Sequence, residues 1–129
     1  TRAPQWTGGG VVFAPVPRDY SFKINKKEKQ AALKSVLTDK VQSSSLIVLD
    51  ELKFDEIKTK NFVKVMDKLK VGSGVVVMAD SDKNVVMSAR NIAQVDTISV
   101  NTINVYDVVK AKKVVLTKDA VAKIEEVYA

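Results

Sequence analysis

Cysteine and histidine are both absent from this 129-residue chain, and the two gaps remove most enzyme chemistry at once. Without cysteine there is no disulfide, no thiolate nucleophile and no thiolate metal ligand, a composition that suits a reducing compartment. Without histidine there is no serine–histidine–acid triad, no imidazole-ligated zinc and no side chain that titrates unperturbed near neutrality. No apolar run approaches the roughly twenty residues that span a bilayer, and the opening TRAPQWTGGG lacks the apolar h-region of a signal peptide. These absences predict a soluble, cytoplasmic chain with no membrane partner. Proline and glycine are scarce and unevenly placed: all 3 prolines (Pro4, Pro15, Pro17) and the run Gly8, Gly9, Gly10 fall at the start. Neither helix nor strand is expected from Thr1 to about Lys23.

What that opening stretch does contain is positive charge. The net charge is +6, and Thr1 to Lys34 holds seven bases (Arg2, Arg18, Lys23, Lys26, Lys27, Lys29, Lys34) against two acids, Asp19 and Glu28. The remainder balances fourteen bases against thirteen acids. Such asymmetry calls for a polyanionic partner. A division follows, with residues 1–24 an extended basic arm and residues 25–129 a globular domain. At 129 residues, 46% of them hydrophobic, the chain is of single-domain size and able to bury a core.

Asn25 and Glu28 read as a capping box opening a helix to about Val41, with Leu33, Val36, Leu37 and Val41 on one face. Lys27 and Lys34 share another face, continuing the arm's charge. From Leu46 the period changes. LIVLD, VVVMA (Val75–Ala79), TISV (Thr97–Val100) and KVVLT (Lys113–Thr117) are short apolar runs suited to four buried strands. Helical spacing separates them: Phe62, Val65, Met66 and Leu69 after Thr59, stopped by Gly72; a helix from Lys83 to Ile92; a short one opened by Asn104 and Asp107; and a last one from Thr117 burying Val121, Ile124 and Val127 or Tyr128. Alternating strands and helices predict an α/β, three-layer sandwich with a mostly parallel four-stranded sheet.

A parallel sheet raises the prior for a ligand at its carboxyl ends, where Asp50, Asp80 and Asp82 stand. Those acids suit either magnesium in a phosphate-handling enzyme or solvated strand ends and turns, and the second reading is preferred. Gly72-Ser-Gly74 precedes its strand, whereas a dinucleotide fingerprint follows one. Gly8 to Gly10 suit a phosphate cradle, a hinge, or a backbone that approaches another closely beside aromatics able to stack on bases. Phe13 and Val12 are expected to pack. Lys23, Lys26, Lys27 and Lys29 stand against the helix macrodipole, which suggests an external anion. The lysines of the second helix mark its solvent side.

The run RAPQWTGGGVVFAPVPRDYSFKINKKEKQAALKSVL resembles the bacterial large-subunit ribosomal protein four family, at the point where that family's long tunnel-reaching loop returns to the globular domain. LIVLDEL, KTKNFVKVMDKL, VVVMAD, MSARNI, INVYDVV and KVVLTKDAVAKIEEV resemble the family in order and spacing. The resemblance implies a structural, non-enzymatic constituent of the large ribosomal subunit that binds ribosomal RNA and neighbouring ribosomal proteins, takes part in assembly and lies near the exit tunnel. By carry-over, Arg2, Trp6, Gly8, Gly9, Gly10, Arg18, Tyr20, Lys23, Lys26 and Lys27 lie in or near RNA. No catalytic residue, metal site or cofactor is implied. Some relatives also bind their own messenger RNA. Ala14 stands where the family often has glycine, and the family's N-terminal part has no counterpart here. The start at Thr1, without methionine, suggests processing, proteolysis or excision. An incomplete domain, with an exposed apolar face and a tendency to self-associate, is the expectation. Two other classes compete: a magnesium-dependent phosphate-handling enzyme using Asp50 and Asp80, and a protein-interaction module.

Overall fold

The computed structural model describes residues 2–128. Residues 2–25 hold neither helix nor strand. The regular elements follow in order: α1 (Lys26–Gln42), β1 (Leu46–Leu49), α2 (Thr59–Lys68), β2 (Gly74–Met78), α3 (Lys83–Ala89), β3 (Val95–Ser99), a 3-10 turn (Val100–Thr102), α4 (Val105–Lys110), β4 (Lys113–Thr117) and α5 (Lys118–Tyr128). The four strands form one sheet in the order β1-β4-β2-β3, and its three pairings are all parallel. The α/β class and the parallel sheet expected from the sequence are therefore observed.

Alternation along the central strands sorts side chains into two cores. Val76 and Met78 of β2 and Val115 of β4 face Phe62 and Met66 of α2 and Val85 and Ala89 of α3. Val75, Val77, Val114 and Leu116 point the other way, toward Val108 of α4 and Ala120 of α5, with Val36 and Leu37 of α1 packed alongside. Helices thus cover both faces, which is why Val75–Met78 of β2 and Val114–Leu116 of β4 can be apolar without alternation. Burying each such valine contributes about 1.5–3 kcal/mol, whereas an exposed ion pair adds about 0–1 kcal/mol. All four ion pairs among the described residues involve exposed or half-exposed side chains, so the cores hold the fold.

The edge strands depart from the expectation of four buried strands. Val48 of β1 is 52% exposed, and only Val95 of β3 is fully buried. An edge strand has a neighbour on one side only, and its apolar composition does not reveal that position. Val41 departs as well. It is 61% exposed, because α1 lies on the domain chiefly through Leu33, Val36 and Leu37. At the other terminus Tyr128, rather than Val127, is the half-buried residue.

Local signals account for most helix ends. The Asn25 backbone N–H donates to Glu28 Oε2 at 3.3 Å. Asp82 Oδ1 accepts from the Asn84 N–H at 2.9 Å, and Asn104 Oδ1 from the Asp107 N–H at 2.8 Å, each satisfying an orphan donor of a first turn. α3 is shorter than expected, ending at Ala89. The stop of α2 lies elsewhere than Gly72: Lys70, at φ 55°, takes the left-handed position. Its N–H reaches the Asp67 carbonyl at 3.0 Å, and the Val71 N–H reaches Met66 at 2.9 Å, a Schellman closure. Val71 and Met66 share a core, so the apolar contact of the motif compensates for the missing glycine. α1 ends the same way at Ser44, φ 54°. Among the described residues no helix is long and apolar enough to cross a membrane.

Candidate nucleic-acid interface

Two consecutive turns shape the start of the described chain. The Trp6 N–H donates to the Ala3 carbonyl at 3.1 Å, across a turn with Pro4 in second place, where its fixed φ fits. The Gly9 N–H donates to the Trp6 carbonyl at 2.9 Å, and Gly8 in third place has φ +76°, the type II position that favours glycine. A Gly10 N–H bond to the Arg2 carbonyl at 2.9 Å closes the loop. A Cβ on Gly9 would overlap the Ala3 carbonyl oxygen. Close approach of backbone to backbone, one of the three uses weighed for the glycine run, is seen within the loop. Trp6 is held on the outside, 66% exposed.

Beyond the loop, apolar and aromatic side chains stand in solvent. Phe13 is 93% and Val12 65% exposed, so the expectation that they pack against the domain is not met. Val11, Val16, Tyr20 and Phe22 are exposed as well. The aperiodic apolar residues of a proline-rich segment were the available signal for Val11, Val16 and Phe22, which the sequence reading passed over. Arg18 Cζ lies 4.2 Å from the centroid of the Tyr20 ring, a cation–π contact worth about 0.5–1 kcal/mol at such an exposed site.

The charges complete the site. Both acids of the basic stretch up to Lys34, Asp19 in the arm and Glu28 in α1, are engaged locally. Asp19 accepts from the Ser21 N–H at 2.8 Å and from the Ser21 hydroxyl at 2.8 Å, and these bonds, the backbone one first, hold its carboxyl below the usual aspartate value. Glu28 is turned to the Asn25 N–H. Meanwhile Arg2, Arg18, Lys23, Lys26, Lys27, Lys29 and Lys34 are all exposed, and among the described residues none forms an ion pair. Lys26, Lys27 and Lys29 occupy the first turn of α1, where the macrodipole disfavours cations. The result is a cationic surface without an ion-pair partner among the described residues.

At the rival site, the carboxyl ends of the strands, three of the five acids are engaged locally. Asp50, Glu51, Asp80, Asp82 and Asp119 line a depression of about 350 Å³. Asp80 pairs with Lys123 at 2.8 Å, and Lys123 also donates to the Ala79 carbonyl at 3.2 Å. Asp82 caps α3. Glu51 pairs with Lys53, whose ammonium is thereby raised above the usual lysine value. Among the described residues no three acids converge as metal ligands. The preferred reading of these aspartates, as turns and strand ends, fits this geometry.

Comparison with known proteins points the same way. The model of a family described as the ribosomal protein L4/L1 family matches residues 1–127. The chain is 61% identical over 129 residues to a large ribosomal subunit protein uL4 of Lachnoclostridium phytofermentans, covering 100% of this chain and 63% of the relative. It is 62% identical to the protein of that name from Agathobacter rectalis, with the same coverage. Against that of Thermoanaerobacter sp. strain X514 the identity is 52% over 128 residues, 99% of this chain and 62% of the relative. The chain thus spans somewhat less than two thirds of the length of these curated relatives.

Proposed function

Because this chain belongs to the ribosomal protein L4/L1 family, we propose that it is a structural, non-enzymatic constituent of the large subunit of cytoplasmic bacterial ribosomes. Its residues 1–24 act as an RNA-binding arm, and residues 25–129 as the α/β body that seats it. The observation that carries this reading is the set of exposed arm bases without an internal partner, beside aromatics free to stack. Arg2, Arg18, Lys23, Lys26, Lys27 and the adjoining Lys29 neutralise phosphates of large-subunit ribosomal RNA, and Trp6 and Tyr20 stack on unpaired bases. Gly8, Gly9 and Gly10 set the compact loop that presents Trp6. Ordering of the arm on RNA contributes to subunit assembly near the exit tunnel, beside neighbouring ribosomal proteins. The same phosphate grip serves for the protein's own messenger RNA. The half-exposed edge at Val48 favours self-association of the isolated chain.

Trp6 supplies the test, since it is the 1 tryptophan of the chain. Titrating the protein with large-subunit ribosomal RNA quenches its emission as the indole stacks, and Trp6→Phe removes the signal while leaving binding nearly intact. Unchanged tryptophan emission at saturating RNA contradicts the assignment of Trp6, and absence of binding contradicts the function.

A further inference from the structure

Beyond Lys34 the near-neutral remainder of the chain conceals a polarity. Five of its acids gather at the carboxyl ends of the strands, as described above; at the amino ends lysines cluster, with Asp96 and Asp107 in the adjoining depression beside Lys110. There Lys70, Lys112 and Lys113 line a depression of about 220 Å³ together with Gly72, Ser73 and Gln94, with no acid in the lining. Lys40, at the end of α1, reaches the same end of the sheet: its Nζ donates to the Ala111 carbonyl at 2.8 Å, one residue before Lys112. Lys113 Nζ donates to the Lys70 carbonyl at 3.0 Å.

Chain order explains how the lysines meet. Each helix returns the chain to the amino end of the next strand, so the last turns of α1, α2 and α4 arrive at one end. Helix macrodipoles favour cations there, which accounts for Lys40 and Lys68. They do not account for Lys112 and Lys113, which follow the Ala111 cap of α4 and open β4. Among the described residues none of Lys40, Lys68, Lys70, Lys112 and Lys113 forms an ion pair. Lys40 and Lys113 are moreover anchored to backbone carbonyls. An ammonium group has three donors, so each anchored lysine keeps donors for a ligand while its side chain is already positioned.

We infer that the amino-terminal end of the sheet is a second RNA-binding surface, in which Lys40, Lys70, Lys112 and Lys113 contact phosphates independently of the arm. The inference rests on the RNA-binding reading above and adds a place on the body to it. With the acidic end facing away, the charge polarity also orients the body: a polyanion attracts one end of the sheet and repels the other. An RNA backbone fits better than an acidic protein face, because the surface offers several separate point charges over a shallow opening with no aliphatic or aromatic residue in its lining to anchor a protein partner.

The test uses the full chain and large-subunit ribosomal RNA transcribed in vitro, with affinity measured from 50 to 200 mM salt. The triple change Lys70→Gln, Lys112→Gln, Lys113→Gln makes the log-log salt slope shallower by about 2–3. Lys70→Gln with Lys112→Gln, which touches no anchoring bond, makes it shallower by about 1–2. Lys53→Gln with Lys118→Gln, at the acidic end, leaves it unchanged. A slope unaltered by the first two variants overturns the inference, as does lost affinity at constant slope. Displacement of the RNA by polyglutamate at equal charge overturns it too, in favour of an acidic protein partner. Neutralising Arg18, Lys23, Lys26 and Lys27 is the companion measurement. If that change flattens the slope and the body variants do not, the arm's role stands and this surface is discarded.

Discussion

Changing Arg2, Arg18, Lys23, Lys26, Lys27 and Lys29 together to glutamine removes most of the salt dependence of binding to large-subunit ribosomal RNA. Six phosphate contacts at about 0.7–0.9 log units each correspond to a slope near −4 to −5. Between 50 and 200 mM salt that slope alone costs about 250- to 1,000-fold in affinity, and the variant loses only the part due to other lysines. Folding is unaffected. All six side chains are exposed and unpaired among the described residues, and three of them oppose the dipole of α1, so their removal slightly favours the helix. Filter binding across a salt series, beside a thermal melt of each protein, checks both halves. An unaltered slope means that the arm cations do not meet phosphate.

Phe62→Ala has the largest expected effect on the body. Phe62 is 0% exposed, lies 6.0 Å from Phe54 between ring centroids at 51°, and packs among Met66, Val76, Val85 and Val115. Truncation removes the transfer energy of the ring and leaves a cavity that α2 cannot close, a combined loss of about 3–5 kcal/mol. For a domain with a total stability of about 5–15 kcal/mol this is a large share. The unfolding midpoint drops by roughly 10–25 °C. Val48→Thr on edge strand β1, half in solvent already, stays within about 0.5 kcal/mol of the parent. Equal losses from the two changes contradict the division into central and edge strands.

Much of this architecture is legible in the residues because its signals are local. Apolar runs bounded by polar turns place β2 and β4, and Asn25, Asp82 and Asn104 mark helix starts through bonds spanning two or three residues. Position within the sheet is not local. Val48 and Ile47 are neighbours on edge strand β1, yet Val48 faces solvent and Ile47 packs against a core, because successive side chains point to opposite faces and only the fold decides which face of an edge strand is covered. The stop of α2 was misplaced for a related reason: glycine is the usual sign of a left-handed residue, whereas the packing of Val71 on Met66 lets Lys70 take that conformation. For the arm, charge and composition indicated a polyanion, but not that Gly9 would fold against Ala3 or that Phe13 would stand free. The lysines at the amino end of the sheet were invisible for the clearest reason. They come from α1, from the α2–β2 connection and from the start of β4, and only the parallel topology brings them together.

Ultraviolet cross-linking of the chain to large-subunit ribosomal RNA, followed by mass-spectrometric location of the nucleotide adducts, tests the central claim most directly. Adducts concentrated on residues 2–27, with Trp6 and Tyr20 among them, are the predicted result. Adducts confined to the body, or spread evenly over its lysines with the arm unmodified, contradict it.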